Sequence, residues 1–486
     1  MKRIGLWAAL LIAVVCNMDA QQPSADAAPA PLHIGSVNVS GSIMERYEFW
    51  DFFQGPRQSN YNFSGTLLQL AFSQNRSGYD WMVDFAAPVL LNLPNHAVQP
   101  SPYGQYGLGG SYYAASKKDT NEAGFFVKQA YVRFKRDTSS VQVGRFEFAD
   151  GMEGAPKDPT LAALRASRIQ QHLIGTFGFS DVRRSFDGGH YDWSSNGWDF
   201  TAVAAIPTRG VFQTDGWGWV TTPFAYAALT RDFGFKHSNG EWRAFGIYYN
   251  DDRSVVKTDN RSAAAKAHDL GGINIATFGS HYIQDVTTQA GVFDVLWWGA
   301  VQTGKWGLLT QKSGAANGEA GFQPNGFGPL HPWIRGGMFW SSGDGNATDG
   351  THGTFFVMLP TPRIYARFPF YNEMNNSDAF AELILRPHKR VTFRSDFHDV
   401  WLSNRHDLWY GGGGAFQPWT FGFTGRPSNG LSSLAKVYDT GGDFQLTRQL
   451  GLGLYFGYAQ GGAVVKKIFP TGYDSKFGYI ELDYAF

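Results

Sequence analysis

The stretch "KFGYIELDYAF", residues 476–486, puts Ile480, Leu482, Tyr484 and Phe486 on one parity. Glu481, Asp483 and Ala485 fall on the other. Strict alternation is the pattern of a strand with two unlike faces. A sheet with one wet face gives it. So does a transmembrane barrel, whose apolar face meets lipid and whose polar face meets a lumen. This strand alone fits both, so the rest of the chain must decide.

The N-terminus reads "MKRIGLWAALLIAVVCNMDAQQ". Lys2 and Arg3 precede an apolar stretch, Ile4 to Val15, too short to span a bilayer, and small residues follow. Residues 1–20 are therefore expected to be a secretory signal peptide, with cleavage after Ala20 and with Ala27 and Ala30 as further candidates. Val15 before Cys16 is too bulky for a lipoprotein signal. Cys16 is the only cysteine, so the exported chain has no disulfide, no thiol catalysis and no cysteine-ligated metal.

The chain has 486 residues, of which 59 are Gly and 16% aromatic, and its mean hydropathy is −0.27. No apolar run after the signal approaches a membrane helix. An exported chain that is aromatic-rich, glycine-rich and only modestly apolar has the composition of an outer-membrane barrel, half of whose strand residues are polar. Removing residues 1–20 takes away Lys2, Arg3 and Asp19 and leaves 39 basic and 40 acidic side chains. That balance names no charged partner and gives no basic excess for nucleic acid.

Residues 21–33 read as a flexible Pro/Ala-rich lead-in, and residues 34–486 as the barrel. "YDWMVDF" (79–85) alternates Tyr79, Trp81, Val83 and Phe85 against Asp80, Met82 and Asp84. "RVTFRSDFHDV" (390–400) sets Val391, Phe393 and Phe397 against Thr392, Arg394, Asp396 and His398. "EWRAFGIYYND" (241–251) puts Phe245, Ile247 and Tyr249 on one side. Connections alternate between short ones such as "NRSG" (75–78), "RPHKR" (386–390) and "TRQ" (447–449), and long ones near 87–121, 149–183, 207–222, 251–268, 341–379, 401–435 and 459–475. Tight periplasmic turns and long extracellular loops give this rhythm in outer-membrane barrels. The fold class is all-β: one transmembrane antiparallel β-barrel of about 18 strands. Two turns longer than ideal, near "FGFKHSNG" and "QPNGFGPLHP", leave 16 open. The last strand then closes on the first, "VNVSGSIMERYEF". The terminal Phe486 resembles the signal read by outer-membrane assembly machinery, an expected partner alongside outer-membrane lipid. The expected location is the outer membrane of a Gram-negative-type bacterium.

Residues 160–174, "TLAALRASRIQQHLI", are the one helix-like stretch. A short helix packed on the loop region accounts for them; a plug folded into the pore does too. "HDVWLSNRHDLWY" gathers His398, Asp399, Ser403, His406 and Asp407, which imitate a Ser–His–Asp set or a metal site. Polar lumen and loop positions explain them more simply, so no enzyme, metal or cofactor is expected. "SGDGNATDGTHG" (342–353) has the Asp and Gly of a calcium loop without EF-hand spacing, and a turn-rich loop explains it better.

Four segments resemble the alginate export family of outer-membrane porins: "VQVGRFEFADG" (141–151), "RRSFDGGHYDW" (183–193), "SSGDGNATDGTHGTFFVMLPTPRIYARF" (341–368) and "GGDFQLTRQLGLGLYFGYAQGG" (441–462). They keep the family's order and span most of the chain. The resemblance implies an 18-stranded channel whose lumenal arginines meet an anionic solute or a uronate-type polysaccharide that passes by diffusion. Carried over, the pore-lining candidates are Arg46, Arg145 and Arg184 with Asp187; strand parity adds Arg394. Guanidinium groups bind carboxylates bidentately, and opposed acids keep a polymer from sticking. The chain departs from the family in its neutral charge, in Phe146 after the Gly-Arg pair, and in the short "TRQ" turn, which puts alginate itself in doubt. The alternatives are an uptake porin for small organic nutrients and a barrel whose loops serve adhesion.

Overall fold

The computed structural model describes residues 31–154, 156–361 and 363–486; the expected signal peptide lies outside them. Eighteen long antiparallel strands form one barrel: β1 (Val37–Asp51), β2 (Asn60–Asn75), β3 (Tyr79–Leu91), β4 (Phe126–Lys135), β5 (Ser139–Phe146), β6 (Phe186–Ser195), β7 (Trp198–Pro207), β8 (Phe224–Phe235), β9 (Ser238–Asp251), β10 (Ile273–Thr287), β11 (Gly291–Trp306), β12 (Leu309–Pro324), β13 (Trp333–Ser341), β14 (Asn376–His388), β15 (Val391–Leu402), β16 (Ser433–Gln445), β17 (Leu450–Gly461) and β18 (Asp474–Ala485). Each pairs with the next in sequence. β18 returns to β1 in the register Ser42↔Ala485 to Asp51↔Lys476. Gly41 and Phe486 exchange both backbone hydrogen bonds at 3.0 Å, so the terminal aromatic completes the seam. Among the described residues, closure leaves the barrel itself no edge strand and satisfies its strand backbone without water. The count is 18, as expected, and among the described residues no helix is long and apolar enough to cross a membrane.

The opening stretch sits in β18 with Ile480, Leu482 and Tyr484 outward and 40–49% exposed. Phe477 and Tyr479 face inward and are buried, and Glu481 turns the same way onto Arg46. β3 and β15 follow the expected alternation. In β9, by contrast, Phe245, Ile247 and Tyr249 point into the barrel, while Trp242 and Tyr248 face outward. An apolar lumenal row means something apolar fills the lumen beside it.

The turns at one end are short: 76–78, 136–138, 196–197, 236–237, 288–290, 325–332, 389–390 and 446–449. "FGFKHSNG" is a tight turn after all, because β8 runs to Phe235. The other end carries 52–59, 92–125, 147–185, 208–223, 252–272, 342–375, 403–432 and 462–473, and one exception, the link 307–308. Leu32–Ile34 pairs with the start of β1, so the barrel takes up the end of the expected lead-in. The long-loop end is expected to face the cell exterior. A protease site inserted at the exposed Lys117–Asp119 will be cut on intact cells, and one at the exposed Lys389 only after the outer membrane is opened. The reverse pattern of cleavage would invert the orientation.

Candidate functional site in the barrel lumen

The long connections 147–185 and 342–375 fold into the barrel, and Tyr410, Ala415, Phe421 and Phe423 of connection 403–432 join the same core. Segment 147–185 carries helix α1 (Pro159–Leu164), started by Pro159 at its first position and by Asp158, whose carboxylate accepts from Thr160 N–H (2.8 Å) and Leu161 N–H (3.0 Å). The helix runs on into the wider turn Arg165–Ile169. Segment 342–375 meets it through a parallel bridge, Ile174↔Leu359. Gly175 N–H donates to Leu359 O (2.7 Å) and Leu359 N–H to Leu173 O (2.9 Å). Leu161, Leu164, Ile169, Leu173 and Ile174 form one core with Phe355, Val357 and Leu359 and with lumenal Phe245, Ile247, Tyr249 and Trp298. That core explains the inward apolar row of β9. The helix-like stretch therefore does not sit on the outer loop region; it lies within the pore.

Arginines pin this insert to acidic walls. Arg168 is fully buried; its Nε donates to Glu319 on β12 (3.2 Å), its Nη2 to Glu382 on β14 (2.7 Å) and its Nη1 to the Ile364 carbonyl (2.7 Å). Burial works against its charge, but Glu382 and Glu319 outweigh that and hold its pKa above the ordinary guanidinium value. Arg165 donates to Glu241 on β9 at 2.9 Å. On the wall, Arg335 bridges Asp294 (2.5 Å) and Glu319 (2.7 Å). Arg394 lies between Glu382 (2.7 Å) and Asp396 (2.6 Å). The near-zero formal charge thus hides a dense ladder of paired charges inside the barrel.

Of the five residues expected in the pore, Arg46 and Arg394 line it. Arg46 donates to Glu481 (2.5 Å) and Asp181 (3.1 Å) and stacks on Phe179 at 4.0 Å. Arg184 is also inside, but it does not pair with Asp187. Among the described residues its donors reach only carbonyls, Gly413 (2.6 Å), Ala415 (3.2 Å) and Pro360 (3.4 Å), and its Nε has no partner; burial lowers its pKa to about 9. Arg145 and Asp187 correct the expectation: they pair with each other across β5 and β6, bidentately at 2.7 and 2.8 Å, on the outward parity. Arg145 shares that parity with Val141 and Val143, which are 43% and 54% exposed. Segment 208–223 covers the pair from above, with Trp219 donating to Asp187.

Arg165, Arg168, Glu319, Glu382 and Arg335 were not singled out by sequence. One signal was there: Leu161, Leu164, Arg165 and Arg168 recur at helical spacing on one face. Among the connections of the long-loop end, Phe52, Phe177, Phe212, Phe370, Tyr371 and Arg426 line a cavity. The Arg184 guanidinium lies 6.0 Å from the ring of Phe177, one of the lining residues.

The "HDVWLSNRHDLWY" side chains do not converge. His398 is held by Asp378 (3.0 Å), Asp399 by Lys436 (2.9 Å) and Ser403 by Ser377 (2.7 Å), while His406 is exposed. In the glycine-rich loop, Asp344 accepts from Asn346 N–H (3.0 Å) and Asp349 from Thr351 N–H (2.9 Å), so both shape turns.

The family model described as alginate export matches residues 37–471. None of the curated protein sequences matches the chain. Among solved structures, the outer membrane protein OpdK from Pseudomonas aeruginosa aligns over 92% of this chain and 99% of its own, at 9% identity and a TM-score of 0.53. OccAB2 from Acinetobacter baumannii aligns over 92% and 98%, at 8% identity and a TM-score of 0.55. OpdK crystallised with vanillate aligns over 92% and 98%, at 8% identity and a TM-score of 0.51. At these identities the likeness is one of fold.

Proposed function

Because the chain belongs to the alginate export family, outer-membrane channels of Gram-negative bacteria rather than enzymes, we propose that it passes small organic anions, carboxylates above all, by passive diffusion. The observation that carries this reading is Arg184. It is a buried guanidinium with carbonyl acceptors and, among the described residues, no carboxylate partner and a spare Nε, and it lies 6.0 Å from Phe177, which lines an aromatic-rich cavity. A buried cation without a counter-charge is costly, and a solute carboxylate relieves the cost while it passes. The aromatic lining favours a solute with an apolar or aromatic body, and the fold neighbour OpdK was crystallised with vanillate, an aromatic carboxylate. A uronate polymer offers the same carboxylates, but its passage requires segments 147–185 and 342–375 to leave the lumen. Adhesion is less favoured, because these two long connections turn inward instead of outward. Recognition of Phe486 by assembly machinery belongs with this reading.

Arg184→Gln keeps hydrogen-bonding capacity and removes the charge. In a planar bilayer under a salt gradient, the reversal potential will shift toward cations. The loss corresponds to about 1 kcal/mol, roughly a fivefold change in anion preference, at low ionic strength. A reversal potential unchanged by the substitution, or a wild-type channel already selective for cations, would overturn the proposal.

A further inference from the structure

We propose that Asp396, His398 and Asp439 form a binding site for a divalent transition-metal cation on the lumenal wall between β15 and β16. A ring nitrogen of His398 and carboxylate oxygens of Asp396 and Asp439 lie within 4.8 Å of one another, and all three residues are buried. The sheet builds the cluster: Asp396 and Asp439 are directly opposed across the strands, and His398 follows two residues on, on the same face.

His398 is prepared as a ligand. Its Nδ1 lies 3.0 Å from both carboxylate oxygens of Asp378 on β14, and its Nε2 is buried with no hydrogen-bond partner among the described residues. A carboxylate that holds one nitrogen fixes the tautomer and leaves the other lone pair for a metal. Asp439 is oriented by the Tyr455 hydroxyl (2.5 Å) and by the Arg367 N–H (2.7 Å), each of which leaves lone pairs free. Asp396 Oδ2 lies beside Arg394, and among the described residues Oδ1 has no hydrogen-bond partner.

Charge argues the same way. Three carboxylates, Asp378, Asp396 and Asp439, face this point, and the guanidinium groups of Arg394 and Arg168 near it are both shared with Glu382, on which Arg367 acts as well. Close carboxylates in a dry wall repel unless a cation stands between them. Imidazole with two carboxylates suits zinc, manganese or iron better than calcium, which takes six or more oxygens. Bringing the donors to tetrahedral separations of about 3.4 Å needs a contraction of roughly an ångström. Three protein ligands would leave a position for water. Through the Arg367 N–H on Asp439, the site would also tie segment 342–375 to the wall.

The competing arrangement is a protonated His398 that neutralises the carboxylates itself and binds no metal. Tag-free, full-length protein in detergent, stripped with chelator, is loaded with zinc chloride, desalted, and its metal counted by mass spectrometry. About one zinc per barrel is expected. His398→Gln and Asp439→Asn abolish it, Asp378→Asn weakens it about 10- to 100-fold, and His406→Gln, at an exposed position, leaves it unchanged. Heat-modifiable gel mobility certifies that each variant barrel is folded. Cobalt(II) added to the wild type gives an arm that needs no variant: visible absorption bands displaced by zinc. No stoichiometric zinc on the wild type, no such bands, or full retention of zinc by folded His398→Gln would each overturn the site.

Discussion

Ile480→Arg will prevent most of the protein from reaching the heat-modifiable, folded form, and Leu482→Arg will do so to a lesser degree. Both side chains face outward from β18, at 49% and 43% exposure, and both lie at the seam where β18 pairs with β1 and β17. An arginine on the lipid face costs about 2–4 kcal/mol at the bilayer midplane and falls toward zero at the interface. Ile480 lies in the middle of Asp474–Ala485, whereas Leu482 is two residues nearer the short-turn end. At the usual strand rise and tilt this is about 5 Å of depth. Such a cost is a large share of the net stability of an ordinary fold. The measurement is urea unfolding in lipid vesicles, followed by gel mobility. Equal tolerance of both arginines would mean that this face does not meet lipid, and a reversed order would mean that the seam sits at another depth.

How much of this was legible in the sequence depends on how far each interaction reaches along the chain. The strand alternation of "YDWMVDF" and "RVTFRSDFHDV" is local, so the two faces of β3 and β15 could be read directly. The inward row Phe245, Ile247 and Tyr249 could be seen but not oriented. Its partners, Ile174 and Leu359 among them, are far away in sequence, and an apolar lumenal row looks the same as a lipid-facing one. Arg394 was correctly turned inward by parity. Its environment was not legible: the structure buries it between Glu382 and Asp396. Arg145 shows the opposite failure. Its parity with Val141 and Val143 puts it outward, whereas the family motif carried it into the pore. At the rim of β5 an outward ion pair is tolerable, because Asp187 meets it bidentately and segment 208–223 shields it. Arg165 and Arg168 were hidden because a basic residue in a loop reads as solvated until the loop is known to enter an acidic lumen.

That last point makes Arg168→Met the most informative substitution in the lumen, and its expected result is a channel of higher conductance in an intact barrel. Methionine keeps an unbranched apolar stem against Phe380, over whose ring the guanidinium lies at 4.9 Å. It removes the donors to Glu319, Glu382 and the Ile364 carbonyl at once. Breaking a buried ion pair from one side costs about 3–5 kcal/mol, because the charge left behind has lost both water and partner. Here Arg335 still reaches Glu319 and Arg394 still reaches Glu382, so the loss will fall at the lower end of that range. It falls on the docking of segment 147–185, since no hydrogen bond between barrel strands involves Arg168. Undocking frees Glu319 and Glu382 to face the pore, so the wider channel will also favour cations. Single-channel recording gives the conductance, and gel mobility confirms that the barrel has formed. Adding Glu382→Gln to Arg168→Met removes one of the stranded charges. If electrostatics holds the insert, the double variant will return part of the way to wild-type conductance. If conductance in Arg168→Met stays at the wild-type value, the apolar core around Ile174 and Leu359 holds the insert without the arginine, and the charge ladder serves the permeating solute alone.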